Sequence, residues 1–125
     1  MTDSDGVVAP AVLVVESHDD TREMYGTFLQ ARGFAVLTAA TTNEAFALMD
    51  QADVLVTALR VRGTPDAVAL MHNAHRRTPK LPVILVSAYV NDAAEVASAD
   101  VFLQKPCEPL ILEAEIRKVV ARRET

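Results

Sequence analysis

The sequence predicts an α/β fold, a single doubly wound domain with a five-stranded parallel sheet and five helices. Three observations predict it. Short continuous apolar runs of β-branched character recur along the chain, as in strands buried on both faces. Between them, apolar residues repeat at helical spacing. The two signals alternate throughout, which implies βαβ units, parallel pairing and right-handed crossovers. The 125 residues, half of them hydrophobic, suffice for one packed core.

Each element has its own signal. Ala11–Val15 is the first apolar run. Glu16-Ser17-His18-Asp19-Asp20 follows as an acidic loop, and Met24, Phe28 and Leu29 then recur at helical spacing behind Asp20 or Thr21 as N-cap. Gly33 suits the position just past that helix. Phe34 to Thr38 is a short second strand. Thr41-Thr42-Asn43-Glu44 matches a capping box and opens a helix with Ala45, Leu48 and Met49 facing inward. Asp53 to Ala58 is the third strand. Thr64-Pro65 reads as N-cap and first residue of a helix with Ala67, Leu70, Met71 and Ala74 on its apolar face. Pro82–Ser87 is the fourth strand, Asn91 to about Ser98 a short fourth helix, and Val101–Gln104 the fifth strand. Pro109 starts a last helix with Leu112, Ile116, Val119 and Val120 on one face. Residues 1–10 read as a flexible leader and 11–123 as the domain.

Composition excludes several classes. The formal net charge of −5 disfavours nonspecific nucleic-acid binding. No apolar run approaches the ~20 residues of a membrane span. The acidic start, Met1 to Gly6, is no secretory signal. The single Cys107 rules out an intrachain disulfide and a Cys-rich metal site, so a cytoplasmic setting is expected.

In open parallel sheets the site lies beyond the carboxyl ends of the strands. Glu16 and Ser17, Ala58, Ser87 and Lys105 follow the first, third, fourth and fifth strands. Together with Val12-Leu13-Val14-Val15-Glu16, Thr21-Arg22-Glu23-Met24, Asp53 to Thr57, Val83 to Tyr89 and Phe102-Leu103-Gln104-Lys105-Pro106, they give the chain a pattern. From Val12 to about Arg123 it resembles the receiver domain of bacterial response regulators. The resemblance implies a flavodoxin-like receiver fold with strand order 2-1-3-4-5.

It also implies what each position would do. In that family an aspartate ending the third strand accepts a phosphoryl group from a histidine kinase. Two acidic residues after the first strand help hold Mg²⁺, a hydroxyl and a lysine bind the phosphoryl oxygens, and an aromatic in the fifth strand follows the hydroxyl. An acyl phosphate needs a carboxylate nucleophile, and Mg²⁺ needs hard oxygen ligands. Here Lys105, Ser87 and Phe102 match the lysine, hydroxyl and aromatic, and Glu16 the first acidic position. Ser17 replaces the second acid, Ala58 replaces the phosphoacceptor, and Arg62 stands where a proline is common. The stretch from Ser87 to Lys105 is about one helical turn short.

A full site carries three carboxylates and one lysine; this one keeps Glu16 and Lys105, with Asp19 and Asp20 nearby in sequence. The expectation is that Lys105 pairs with Glu16 or with nearby loop groups, that Mg²⁺ binding is weak or absent with Glu16 the one weak candidate ligand, and that there is no cofactor. The implied role is a phosphorylation-independent, non-enzymatic signalling module. Its partner would be a histidine kinase, an output protein or a second copy, with no nucleic acid or membrane. The alternative is an ordinary phosphoacceptor receiver whose aspartate was replaced by Ala58. A flavodoxin-like small-molecule binder or enzyme lacks support, because no Gly-rich phosphate loop follows the first strand.

Other residues have plainer readings. Thr57 points away from the crevice by strand alternation, and its alcohol forms no acyl phosphate. His18, His72 and His75 form no ligand set and read as exposed polar residues. Cys107 would be reactive beside a cation, but a plain small residue is expected. Arg76-Arg77 and Arg122-Arg123 read as solvated helix ends, and Met24, Met49 and Met71 as core.

Overall fold

A computed structural model describes residues 9–88 and 96–124. Its sheet runs through β1 (Ala11–Val15), β2 (Ala35–Ala39), β3 (Val54–Thr57), β4 (Val83–Ser87) and β5 (Val101–Gln104). All pairs are parallel and the order is β2-β1-β3-β4-β5. The helices are α1 (Asp19–Ala31), α2 (Thr42–Leu48), α3 (Ala67–His75) and α4 (Pro109–Glu124), with a 3-10 turn at Met49–Gln51. Among the described residues there are thus four α-helices rather than five. Most of the expected helix from Asn91 to Ser98 lies outside the described residues, as do residues 1–8 of the expected leader. Of that leader, Ala9 is buried and the Pro10 carbonyl accepts from Ala35 N at 3.0 Å.

Period-two alternation in the strands divides the core between two faces. Leu13, Val15, Leu55, Val83 and Leu85 pack with Ala45, Met49, Leu70, Met71 and Ala74 of the α2–α3 side. Val12, Val14, Val54, Val56, Ile84 and Val86 pack with Tyr25 and Leu29 of α1 and with Leu112, Ile116, Val119 and Val120 of α4. Both faces are covered, so the strands read as unbroken apolar runs.

The starts of α1 and α3 differ from the sequence reading, while α4 begins at Pro109 as read. The α1 cap is His18, whose Nδ1 accepts from Thr21 N at 3.3 Å, not Asp20 or Thr21. The α3 cap is Asp66, whose Oδ1 accepts from Ala69 N at 3.0 Å; Thr64 and Pro65 precede the helix. In both cases a side-chain acceptor one turn ahead satisfies an orphan amide. The capping box at α2 is present in modified form: Thr41 Oγ1 accepts from Glu44 N at 3.2 Å, while Glu44 Oε2 accepts from Ala40 N rather than from Thr41 N. Gly33 sits past α1 with φ of 97°, in the region that favours glycine.

Three side chains depart from their sequence reading. Met24 is exposed, because Tyr25 and Leu29 set the inward face of α1. Arg123 is no solvated helix end: its Nη1 donates to Asp53 O at 3.1 Å and lies 3.3 Å from Asp53 Oδ1. Arg77 pairs with Asp50 and donates to Asn73 Oδ1 at 3.1 Å.

Candidate functional site

The parallel strands all point their carboxyl ends at one pole. There the chain leaves β1 as Glu16-Ser17, β3 as Ala58 to Arg62, β4 as Ser87-Ala88 and β5 as Lys105. Ladder bonds fix these exits: Glu16 N donates to Ala39 O, Ala58 N to Val15 O and Lys105 N to Ser87 O, each at 3.0 Å. Ala58, Leu59, Arg60, Val86, Ser87, Ala88 and Lys105 line one cavity of about 250 Å³. The structure therefore brings Ala58, Ser87 and Lys105 together.

Glu16 joins them through Lys105. It is 6% exposed. Its Oε1 accepts from Lys105 Nζ at 2.5 Å, its Oε2 from His18 N at 3.1 Å, and its main-chain carbonyl from Arg22 Nη1 at 2.9 Å. A buried carboxylate demands such partners, and here an amine and an amide occupy both oxygens.

Ser17 is turned elsewhere. Its hydroxyl donates to Ala40 O and accepts from Arg62 N, both at 2.9 Å, while Arg62 Nη2 donates to Ser17 O at 3.3 Å. Arg62 O in turn accepts from Thr42 N at 2.8 Å. Ser17 and Arg62 thus tie the loops after β1, β2 and β3 into one knot. Both residues depart from the receiver pattern, but nothing in the sequence signalled that they touch. Asp19 turns to Arg22 at 2.7 Å, and Asp19 and Asp20 are both exposed. Arg22 holds Asp19 below the usual carboxylate range, first by its hydrogen bond and then by its charge.

Phe102 stands apart from the cavity, partly buried against the α2–α3 side of the core. The Thr57 hydroxyl is buried and donates to Ala58 O at 2.8 Å. Cys107 gains no activation, because burial and then Glu108 push its thiol up. Its carbonyl accepts from Tyr25 OH at 2.8 Å. His18 and His72 are exposed, as read, and His75 is half-buried. His18 caps α1, His72 Nε2 lies 3.2 Å from Ser98 Oγ, and His75 Nε2 lies 2.8 Å from Asp100 Oδ2.

The comparisons with known proteins place this geometry. The family model for the response regulator receiver domain matches residues 12–117. This chain belongs to the response-regulator receiver family. It is 30% identical over 118 residues to a cyclic di-GMP phosphodiesterase of Thermotoga maritima, covering 90% of this chain and 31% of that protein. It is 31% identical over 121 residues to the transcriptional regulatory protein AfsQ1 of Streptomyces coelicolor, covering 92% of this chain and 53% of that protein. The receiver thus spans about a third and about half of these curated relatives. A CheY-like receiver domain protein from Methanospirillum hungatei superposes with a TM-score of 0.83 at 20% identity, covering 93% of this chain and 97% of that one; this similarity speaks for the fold. No helix among the described residues is long and apolar enough to cross a membrane.

The family implies Mg²⁺, and the residues present do not fit it. Mg²⁺ demands near-octahedral hard oxygen ligands. Both oxygens of Glu16 are engaged, Ser17 donates its proton to a carbonyl, and Ala58 brings no oxygen. Among the described residues no group of three His, Cys, Asp or Glu is placed to hold a metal.

Proposed function

We propose that this receiver signals by binding a protein partner, independently of phosphorylation. One observation carries the reading: the lysine that would meet a phosphoryl group is paired with Glu16 at 2.5 Å, beside an alanine where the nucleophile belongs. Ala58, Ser87 and Lys105 are then a vestigial phosphorylation site, and Glu16 and Ser17 a vestigial acidic pocket. An alanine cannot form the acyl phosphate. Phe102 and Ser87 lack a covalent trigger, so any switching comes from a partner that binds two conformations unequally. Candidate partners are a histidine kinase, an output protein or a second copy, in the two-component setting that the family implies.

The second reading, a working receiver whose aspartate was replaced by Ala58, is favoured by the retained Lys105 and Ser87 in one cavity. Acetyl phosphate with Mg²⁺, read by intact mass, separates the two. The unaltered chain is expected to gain no mass. If Ala58→Asp also gains none, the pocket has diverged beyond its nucleophile, as the Ser17–Arg62 knot and the Lys105–Glu16 pair suggest. A phosphoryl gain on Ala58→Asp favours the second reading, and a gain on the unaltered chain contradicts both.

A further inference from the structure

We infer that the outer edge of β2 docks an extended segment of a protein partner, which joins the sheet as a sixth strand and sets a lysine or arginine against Glu23. The inference rests on the reading that this receiver acts by binding a protein. The Ala58 pocket plays no part in it.

β2 ends the sheet and pairs with β1 alone. Ala35 N donates to Pro10 O and Ala39 O accepts from Glu16 N, so the odd-numbered residues of β2 face β1. Along a parallel ladder, alternate residues turn both their amide and their carbonyl to the same side. Val36 and Thr38 therefore turn theirs outward, and among the described residues no group bonds them there. Native sheets commonly blunt such an edge with a charge, a proline or a bulge. β2 reads Ala-Val-Leu-Thr-Ala in unbroken register with β1 and carries none of the three.

Beside this edge, a cavity of about 450 Å³ lies between α1 and β2, lined by Asp19, Arg22, Glu23, Gly26, Val36 and Thr38 with two further α1 residues. Gly26 keeps it open: a Cβ there would stand 3.5 Å from Thr38 Cγ2 and 3.8 Å from Val36 Cγ1. Arg22 is committed, donating to Asp19 Oδ1 at 2.7 Å and to Glu16 O at 2.9 Å. Glu23 is exposed and joins no ion pair among the described residues, so the cavity has one carboxylate to offer a cation. Side chains of an added strand alternate between the sheet's faces. A cation on the α1 face meets Glu23, and an apolar residue on the other face lies beside the half-buried Leu37. A second copy would bring its own α1 over the same edge, so a lone segment fits the space better.

The experiment is a ¹H–¹⁵N titration of the whole chain, with amide hydrogen exchange, using the blocked peptide acetyl-Thr-Val-Lys-Val-Thr-amide. The expected result is saturable shifts along β2 and slower exchange at Val36 and Thr38, with Leu37, already in the ladder, unchanged. Replacing the peptide's lysine by glutamate is expected to weaken binding about fivefold, the upper range for a partly exposed ion pair. Glu23→Lys is expected to reverse that preference. Thr38→Pro removes an outward amide without removing a bond to β1, and is expected to abolish binding. A thermal melt establishes that it folds; if it does not, Glu23→Lys and the two peptides decide. Shifts no larger than lysine amide gives, slowing at Leu37 in place of Val36 and Thr38, or equal binding of the two peptides would each overturn the inference. Slowing at Val36 and Thr38 that grows with protein concentration in the absence of peptide would overturn it in favour of a second copy. Peptide binding involves no covalent mass change, so failure here is distinct from failure of the acetyl phosphate test of the proposed function.

Discussion

Removing Lys105 leaves Glu16 as a buried carboxylate without its cation. Lys105 is itself partly exposed, so Lys105→Met is expected to destabilise by about 1–3 kcal/mol rather than the larger cost of a fully buried pair. A urea midpoint at neutral pH measures this. A second residue-scale prediction concerns acid. Arg117's hydrogen bond, with Arg32 adding and burial opposing, holds Glu113 below the usual carboxylate range. At Asp100 burial pushes upward, but the Val83 amide, His75 and Lys80 outweigh it, and the carboxyl is lowered too. On acidification the unfolded chain takes up these protons first. The stability they contribute is present above the ordinary carboxylate pKa and lost as pH falls below it. The melting temperature is expected to fall from about pH 5 toward pH 3, with a flatter profile in Glu113→Gln. At the alkaline end, burial first, then Cys107 and Glu16, push Tyr25 up to about 12. The unfolded tyrosine ionises earlier, so stability is lost as pH rises from about 10 toward 12. The sequence pointed to Ala58, Ser87, Lys105 and Glu16 as neighbours, because strand ends converge in this fold. The Ser17–Arg62 contact was illegible, since it depends on how three loops are tied together.

At the scale of elements, the strands and the inward faces of α2, α3 and α4 follow from apolar periodicity alone. The starts of α2 at Thr41 and of α4 at Pro109 followed too, whereas those of α1 and α3 did not, because several residues in a row can cap and local geometry chooses among them. Asp66 illustrates this: Asp66→Ala is expected to lose about 1 kcal/mol through its cap to Ala69, measurable by urea denaturation. Thr64→Ala is not expected to act through a cap. The loop after β3 rests on Gly63, at φ of 122°, where a Cβ would come within 2.8 Å of Thr42 N. Gly63→Ala is therefore expected to destabilise by at least about 2 kcal/mol and to loosen the knot, seen as faster hydrogen exchange at Thr42 and Arg62. Met24 shows the limit of spacing arguments: two apolar frames one residue apart run along α1, and the Tyr25–Leu29 frame wins because Tyr25 finds the Cys107 carbonyl.

Over the whole molecule, the two apolar faces of the sheet and a few long-range ties hold the ends together. Asp53 is one such tie. It accepts from Ala11 N at 2.8 Å with one oxygen and meets Arg123 with the other, joining the starts of β1 and β3 to the end of α4. The sequence left Arg123 as solvated because nothing local announces a partner 70 residues away. The fold class and strand order were legible because alternation and the family resemblance agreed; the state of the site was legible only as missing oxygens. We propose that in this pocket the internal Lys105–Glu16 pair stands in place of metal-assisted phosphoryl chemistry. Calorimetric titration of the chain with Mg²⁺ is the test, and no saturable heat is expected at millimolar Mg²⁺. A saturable Mg²⁺ site that disappears in Glu16→Ala would contradict it.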